Sequence, residues 1–436
     1  MHKLAIHIKE LDEQLSFCKR CGMCHAVCPV FAETGREADV ARGKLALLDG
    51  LVDEMFTNPE GVFERLNRCL LCGSCEAICP RNVSVLEIFI KARTILVDFM
   101  GLSWKKRIVL RGILTNPDLF DRKIKWMAAA QKILNKPARE NSGTYCARSF
   151  SPFFRNRHFV PLSSSPFHSI QPYLNSPPKK TGIKAAFFTG CLIDKIFPNI
   201  ARATITSLTY HEVGIFMPEA QGCCGMPAIA AGDRKTFNQL VKYNIELFSE
   251  QKFDYLLTAC ATCTFAIKKI WPMMFFGDSD IKTKINIIAE KTMDINQFLV
   301  SKTGVKPSVS QSNDAVAVTY HDPCHLKKSF GISDEPRIMI QANPDYSFKE
   351  MFEPDRCCGL GGSFNLQYYE ISTKIGKRKI ENIKASKASV VTSGCPACML
   401  QLSTMLSQAG SGIVVKHPVE IYAESITMGK SPINRT

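Results

Sequence analysis

Eighteen of the nineteen cysteines in this 436-residue chain fall into two repeated patterns whose spacing suits metal binding. Nineteen thiols are too dilute for a small disulfide scaffold, and in a reducing compartment clustered thiols are more often metal ligands than disulfides. The first pattern, C-x2-C-x2-C-x3-C-P, comprises Cys18, Cys21, Cys24 and Cys28, and returns as Cys69, Cys72, Cys75 and Cys79. The second comprises Cys191, Cys223, Cys224, Cys260 and Cys263, and returns as Cys324, Cys357, Cys358, Cys395 and Cys398. Cys146 alone stands outside both patterns and is expected to be an ordinary thiol.

The four-cysteine runs are typical of [4Fe–4S] clusters. In two-cluster ferredoxins three cysteines of one run and the fourth cysteine of the other hold each cluster. This rule predicts one cluster on Cys18, Cys21, Cys24 and Cys79, and a second on Cys69, Cys72, Cys75 and Cys28. A pair of zinc sites is the alternative, since C-x2-C also suits zinc. Zinc does not explain why both runs have four cysteines and end in Cys-Pro.

The five-cysteine sets indicate a tandem duplication, because the residue numbers of the two copies differ by a nearly constant 133 to 135. Five thiolates exceed the four corners of a cubane, and adjacent cysteines such as Cys223 and Cys224 do not easily ligate one metal in relaxed geometry. A larger or bridged cluster would use all five. Cubane clusters, zinc sites and redox thiols remain the alternatives.

Composition and hydropathy define the class of protein around these thiols. With 45% apolar and 22% charged residues, the chain is expected to be globular, with about three domains as the prior. The amino terminus lacks a signal-like apolar stretch, and no 18-residue apolar run occurs. We therefore expect a cytoplasmic protein without a membrane span.

The elements that must position the cysteines differ along the chain. Residues 38–56 and 83–99 have apolar residues at three- and four-residue steps, which predicts helices with short ligand loops between them. From residue 183 onward, short apolar runs end at a cysteine, as in IKAAFFTGC and AVAVTYHDPC. Such runs are typical of buried strands whose carboxyl ends open into a site. We predict domains at 1–100, 181–305 and 313–428, and a connector at 101–180.

The connector carries most of the net positive charge of the chain. Residues 101–160 contain thirteen Lys or Arg and three acids, so they account for +10 of the net +15. Phe120, Ile124, Met127, Ala130 and Leu134 are spaced as one apolar face of a helix. The alternatives are an internal helix, a dock for an acidic partner, or a segment lying on the inner face of an anionic membrane. Nucleic acid is not expected as a partner, since no nucleic-acid motif accompanies the charge.

Three other features near the cysteines have functional and structural explanations. His325 could donate a hydrogen bond to a thiolate or carry protons, or it could only satisfy a loop. Asp322 is predicted to cap the following helix rather than to act in catalysis. Gly359, Gly361 and Gly362 fit a metal loop better than a phosphate loop, because no strand precedes them as a dinucleotide fingerprint requires.

The motifs resemble two known modules. The forty residues between the first runs, with Ala41-Arg42-Gly43-Lys44-Leu45, resemble the alpha-helical ferredoxin of succinate dehydrogenase and heterodisulfide reductase iron–sulfur subunits. The later sets resemble the CCG domain, through Cys-Cys-Gly at 223–225 and 357–359 and the segments 321–326 and 394–398. This resemblance implies an α+β/α multidomain fold, with an alpha-helical ferredoxin followed by two small α/β CCG domains. It also implies one or two noncubane [4Fe–4S] clusters on the ten later cysteines, although some relatives hold zinc in one copy.

Over almost its full length the chain resembles the iron–sulfur subunits of glycolate oxidase and heterodisulfide reductase. The resemblance implies an electron-transfer subunit beside an FAD-containing dehydrogenase subunit that oxidises glycolate or D-lactate, with a quinone or another carrier as acceptor. An additional carrier or membrane-associated subunit is a further expected partner. The chain has no recognisable FAD or NAD fingerprint. The alternative function is reduction of a disulfide at noncubane clusters in the CCG domains.

Overall fold

The amino-terminal hundred residues form helices whose short connections carry the first eight cysteines. The computed structural model describes residues 2–55, 58–138, 144–147 and 157–428. The helices are α1 (His2–Ile8), α2 (Asp12–Ser16), α3 (Met23–Val27), α4 (Pro29–Thr34), α5 (Ala41–Val52), α6 (Pro59–Asn67), α7 (Ser74–Ala77) and α8 (Val85–Met100), with 3-10 turns at Lys9–Leu11 and Glu37–Asp39.

Local sequence explains these helix starts. Proline, whose missing N–H is not needed in the first turn, begins α4 and α6, and Asn58 Oδ1 accepts from Gly61 N at 2.8 Å to cap α6. Gly22 and Gly73 precede α3 and α7 with φ of +86° and +74°, a backbone conformation that favours glycine. Each turn redirects the chain in the middle of a cysteine run.

The connector wraps around the later domains instead of standing apart from them. Its elements are α9 (Trp104–Arg107), a π-helix (Ile108–Ile113), α10 (Pro117–Leu134), β1 (Asn135–Pro137), β2 (Tyr145–Ala147), β3 (His158–Phe159), α11 (Phe167–Ile170) and β4 (Leu174–Asn175). Strands β1, β2 and β3 form an antiparallel sheet in that order. His158 Nδ1 lies 2.7 Å from Ser407 Oγ, which joins this sheet to the last α/β unit.

Helix α10 has a buried face slightly different from the predicted one. Ile124 of the predicted stripe is buried, but Met127 is 43% exposed and Ala128 is buried instead. The side chain of Leu134 lies outside the described residues. This rotation lets Asp121, one helical turn before Ile124, bond to the first α/β unit.

Two α/β units follow and share one topology. The first has a sheet in the order β4-β6-β5-β7-β8, all parallel except β4, which the connector supplies. Its elements are β5 (Lys184–Phe188), α12 (Gly190–Lys195), α13 (Pro198–Tyr210), β6 (Gly214–Met217), α14 (Met226–Ala230), α15 (Arg234–Phe248), β7 (Tyr255–Thr258), α16 (Ala261–Phe265), a π-helix (Ala266–Ile270), α17 (Trp271–Met274), α18 (Ser279–Lys291), β8 (Thr292–Asp294) and α19 (Ile295–Thr303).

The second unit has a parallel sheet in the order β10-β9-β11-β12. Its elements are β9 (Val316–Tyr320), α20 (Cys324–Phe330), α21 (Asp334–Gln341), β10 (Tyr346–Phe348), α22 (Ser363–Gln367), α23 (Tyr369–Ala385), β11 (Val390–Thr392), α24 (Pro396–Gln408), β12 (Val414–Lys416) and α25 (Pro418–Met428). The fold class, a helical ferredoxin-like region followed by two small α/β units, is thus confirmed. The exact domain boundaries remain predictions.

Packing joins the three parts. Leu45, Phe89, Phe187, Leu299 and Met399 belong to a single buried apolar cluster that runs from the helical region through both α/β units. Equivalent strands β5 and β9 are covered on both faces, which is why their sequences are nearly continuous apolar runs. The cysteine loops at the strand ends are therefore held by a common core.

Candidate metal centres

The first predicted ligand set lines one cavity in the helical region. Cys18, Cys21, Cys24 and Cys79 surround a space of about 360 Å³, with Cys75 at its inner side. Arg42 closes one wall, donating from Nη1 to Arg20 O at 3.1 Å and from Nε to a Glu37 carboxylate oxygen at 2.7 Å. Cys21 is exposed, so this centre lies near the surface.

The second predicted set lines a neighbouring and more enclosed cavity. Cys28, Cys69, Cys72 and Cys75 surround a space of about 420 Å³. Burial raises the pKa of Cys28 to about 12, and a bound metal cation would hold this thiol in its ligating thiolate form. Because four thiols converge on each cavity, the residues fit the two clusters that spacing predicts.

Buried cations border the second cavity. Lys44, only 1% exposed, lines this cavity and donates to Asp39 O. Burial lowers its pKa, while the thiols of Cys69 and Cys28 oppose that shift by favouring the charged form. Arg93 on α8 donates to Leu66 O at 2.6 Å, Cys69 O at 3.0 Å and Ala230 O at 2.7 Å. Arg93 was not among the predicted site residues, although a single arginine in the apolar run VLEIFIKARTILV is a visible signal.

The second cavity adjoins the second α/β unit. The Cys72 thiol packs with Cys357 and Cys324 of that unit in one buried cluster. His325 Nε2 lies 3.1 Å from Leu71 O in the adjacent ferredoxin loop. His325 Nδ1 lies 3.3 Å from Thr262 Oγ1, which in turn lies 3.5 Å from Cys395 Sγ. His325 thus satisfies a loop and reaches a thiol only through Thr262.

Asp322 does not cap the following helix as predicted. Its carboxylate accepts two hydrogen bonds from Arg337, at 3.0 and 2.9 Å, and one from Ser333 Oγ at 3.1 Å. Helix α20 begins after Pro323 without a side-chain cap. The half-buried guanidinium of Arg337 is the stronger partner for a buried carboxylate, which explains the error.

The two α/β units meet through equivalent cysteines. The thiols of Cys260 and Cys395 interact with each other, and both are almost fully buried. Beside them Ala261 N donates to Gly394 O at 3.0 Å. Since Cys260 and Cys395 occupy the same place in the two copies, the units face each other around this contact.

Within each unit the remaining thiols converge in the same way. Cys191 Sγ and Cys223 Sγ are 3.9 Å apart, and the thiols of Cys224 and Cys263 interact. In the second unit the Sγ atoms of Cys358 and Cys398 lie within 4.8 Å of each other. Interactions with neighbouring thiols lower the pKa of Cys224 and of its equivalent Cys358. All ten predicted residues therefore lie in two compact thiol groups that fit a metal centre each. Cys146 lies away from them on β2.

A cleft of about 560 Å³ opens beside the first unit, between that unit and the connector. Cys191 and Cys223 form part of its floor. On its wall His168 Nε2 lies 2.8 Å from an Asp121 oxygen, and His168 Nδ1 lies 2.9 Å from an Asp194 oxygen. These carboxylates raise the pKa of His168 to about 9. The three residues come from three separate elements, so no sequence pattern could have revealed this network.

Comparisons with known proteins agree with this arrangement. A family model described as a 4Fe-4S dicluster domain matches residues 14–83, and one described as a cysteine-rich domain, CCG, matches 185–268 and 318–403. The probable glycolate oxidase iron–sulfur subunit of Bacillus subtilis is 27% identical, covering 94% of each chain. A dihydromethanophenazine:CoB–CoM heterodisulfide reductase subunit from Methanosarcina barkeri is 25% identical, covering 98% of this chain and 97% of that one.

A solved structure shares the fold. A hypothetical protein from Helicobacter pylori superposes with a TM-score of 0.51 and 9% identity, covering 89% of this chain and 68% of the other. In the described part of the chain, no helix is both long and apolar enough to cross a membrane. The family-model matches confirm the two modules that the motifs resembled.

Proposed function

The chain is a member of the iron–sulfur proteins that join a 4Fe-4S dicluster domain to two cysteine-rich CCG domains, and from this premise we propose that it transfers electrons within a flavin-dependent oxidoreductase complex. Its relatives are iron–sulfur subunits of oxidoreductases. The proposed reaction of the complex is oxidation of a 2-hydroxyacid, glycolate or D-lactate, with electrons passed to a quinone or another carrier. The name of the Bacillus subtilis relative supports this choice of substrate.

The spatial order of the four thiol groups carries the proposal. The two ferredoxin cavities share Cys75, Cys72 touches Cys357 of the second α/β unit, and Cys260 of the first unit touches Cys395 of the second. The thiol groups thus form a continuous series in which the group of the second α/β unit lies between those of the ferredoxin and those of the first unit. Iron–sulfur clusters, when bound, supply one-electron carriers whose potentials depend on charge and burial.

The proposed cofactors follow from the same groups. We assign [4Fe–4S] clusters to the two ferredoxin sets, and one or two noncubane [4Fe–4S] clusters to the ten CCG cysteines. The hydride chemistry is assigned to a separate FAD-containing dehydrogenase subunit. Anaerobic purification should give about sixteen iron atoms and sixteen sulfides per chain if both CCG domains hold a four-iron cluster, and about twelve of each if one does, whereas about eight would confine iron to the ferredoxin region.

The decisive experiment is substrate-driven reduction of the complex. The chain should co-purify with a flavoprotein, and glycolate or D-lactate should bleach the iron–sulfur absorbance of that complex under anaerobic conditions. The flavoprotein alone, and this chain alone, should each fail to couple the substrate to the clusters. Absence of bleaching in an intact complex with a competent flavin would contradict the proposal.

A second candidate, disulfide reduction at the CCG sites, is favoured by the cleft beside the first unit. That cleft brings solvent-accessible space up to Cys191 and Cys223, where a small substrate could meet the end of the series. Disulfide reduction by the purified chain with an artificial electron donor would establish this function. Disulfide reduction would replace electron transfer from a 2-hydroxyacid as the proposed function if 2-hydroxyacids failed to reduce the complex.

We propose a peripheral location on the inner face of a membrane, supported by the first part of the connector. Trp104, Ile108 and Val109 are 67%, 56% and 53% exposed, and Lys105 and Arg107 lie beside them. Residues 101–117 contain no Asp or Glu. Lysine is depleted in the cores of protein interfaces, whereas exposed tryptophan flanked by cations suits an anionic lipid surface.

Vesicle flotation tests this location. The chain should float with vesicles containing phosphatidylglycerol and not with pure phosphatidylcholine, and salt should release it. Trp104→Glu should abolish flotation, while Val309→Glu, at an exposed site elsewhere, should leave it intact. Salt-sensitive binding to an acidic protein subunit without any vesicle binding would contradict the membrane proposal.

A further inference from the structure

One buried histidine in the second α/β unit lies beside the thiol group and has a ring nitrogen without a hydrogen-bond partner. His321 directly follows β9 and is 0% exposed. Its Nδ1 lies 3.2 Å from Pro354 O, and since a carbonyl only accepts, Nδ1 carries the hydrogen. Its Nε2 therefore has a bare lone pair, and this atom is buried without a hydrogen-bond partner.

The surroundings of that nitrogen are thiols. A ring nitrogen of His321 and the Sγ atoms of Cys358 and Cys398 all lie within 4.8 Å of one another. A nitrogen lone pair close to thiolates is repelled by their negative charge, and a buried polar atom without a partner destabilises the fold. A metal cation bound by all three atoms would remove both penalties. Histidines that bind metals commonly donate their other N–H to a backbone carbonyl, as His321 does to Pro354.

Two other buried histidines near Cys395 lack this arrangement. His325 contacts Leu71 O and Thr262 Oγ1 with its two ring nitrogens. His417 Nδ1 accepts a hydrogen bond from Val419 N at 3.1 Å, so its hydrogen is on Nε2 and no lone pair remains there. Of these three, His321 alone has a nitrogen free to bind a metal.

The first α/β unit has no counterpart. Aligning Cys191 with Cys324 places Phe188 where the second unit has His321. Phe188 is 0% exposed and offers no ligand atom. We propose that His321 Nε2 is a nitrogen ligand of the metal centre in the second unit, beside Cys358 and Cys398, while sulfur alone holds the centre of the first. This inference rests on the metal centres proposed above and adds a ligand that the cysteine spacing does not contain.

The experiment compares the full-length chain, labelled with [15N]histidine, with His321→Phe. Phenylalanine is chosen because the equivalent site of the first unit accommodates it. Metal analysis first shows whether the second unit holds iron or zinc. For iron, pulsed EPR is recorded in both states of the one-electron couple, one of which must have an unpaired spin. For zinc, X-ray absorption distinguishes a nitrogen at about 2.0 Å from sulfur at about 2.3 Å.

In the wild type and in His325→Gln we expect a histidine nitrogen strongly coupled to the electron spin of the iron cluster, or a short zinc–nitrogen distance. In His321→Phe we expect this signal to be lost. Thermal unfolding of the variants under anaerobic conditions shows whether they fold. If His321→Phe does not fold, the wild-type spectrum still decides, because every other assigned ligand in the chain is sulfur. A metal centre in the second unit without histidine nitrogen would overturn the inference, and the proposed function would stand if that metal is iron. No metal in the second unit at all would overturn both.

Discussion

The two α/β units have the same topology and the same cysteine spacing, yet they lie in different surroundings. The second packs against the ferredoxin cysteine loops through Cys357 and His325, whereas the first packs against ferredoxin helix α8 and the connector, beside an open cleft. The second unit also has His321 where the first has Phe188. Duplication thus preserved the cysteine set, and under the proposed function the position in the fold would make the second unit an internal relay and the first a terminal site.

The most severe test of this difference uses equivalent serine substitutions. Cys358→Ser and Cys224→Ser should each remove the spectrum of one CCG centre, and about four iron atoms if that centre is a four-iron cluster. Since the thiol group of the second unit lies between those of the ferredoxin and that of the first unit, only Cys358→Ser should stop electrons from passing between the ferredoxin clusters and the first-unit centre. Freeze-quench EPR after reduction at one end measures this. Equal interruption by both variants would contradict the serial order.

The buried Arg93 should be the main polar contact that joins the ferredoxin helices to the first unit. Arg93→Met leaves the carbonyls of Leu66, Cys69 and Ala230 without their donor, so we expect a loss of about 3 kcal/mol in the free energy of unfolding. Lys91→Met, which breaks a partly exposed pair with Glu87, should cost less than about 1 kcal/mol. Urea unfolding measures both, and similar losses would refute the special role of Arg93.

The buried Lys44 should give the two proposed ferredoxin clusters different reduction potentials. Lys44→Met removes a cation beside the Cys28 set, and a lost positive charge destabilises the reduced, more negative state. The potential of that cluster should fall by roughly 50–100 mV. Arg42→Gln, at the exposed set, should produce a smaller fall because solvent screens its charge. EPR redox titration measures both, and an unchanged potential in Lys44→Met would reject the assignment.

The smallest expected effect concerns the network that holds the connector to the first unit. Asp121 and Asp194 raise the pKa of His168 to about 9, and Lys195 partly opposes them. The network therefore stabilises the fold fully below the ordinary histidine pKa of about 6.5, and this contribution is lost as pH rises through 9. Partial exposure limits the change to about 1–2 kcal/mol.

Urea unfolding at pH 6 and pH 9.5 measures this loss. His168→Gln should be less stable at pH 6 and should lose this pH dependence. An identical dependence in the variant would show that another group is responsible. No equivalent network is expected at the second unit, where the ferredoxin loops occupy the corresponding side.

The sequence by itself determined the modules and their candidate ligands. Cysteine spacing is local, and the exchange of Cys28 and Cys79 between the runs agrees with the two cavities they line. The strand ends and the fold class could also be predicted, because an apolar run that stops at a cysteine needs only neighbouring residues to define it. Eighteen thiols were therefore assigned to four groups without any knowledge of long-range contacts.

The tertiary structure alone decided the order of those groups and the role of the other polar residues. The second unit meets the ferredoxin, and Asp121 joins His168 and Asp194, only because surfaces distant in sequence pack together. The partner of Asp322 was mispredicted for the same reason: Arg337, thirteen positions beyond the expected helix start at Cys324, competes for its carboxylate. Spacing specifies which atoms can bind a metal, whereas packing specifies which sites are neighbours and which charges surround them.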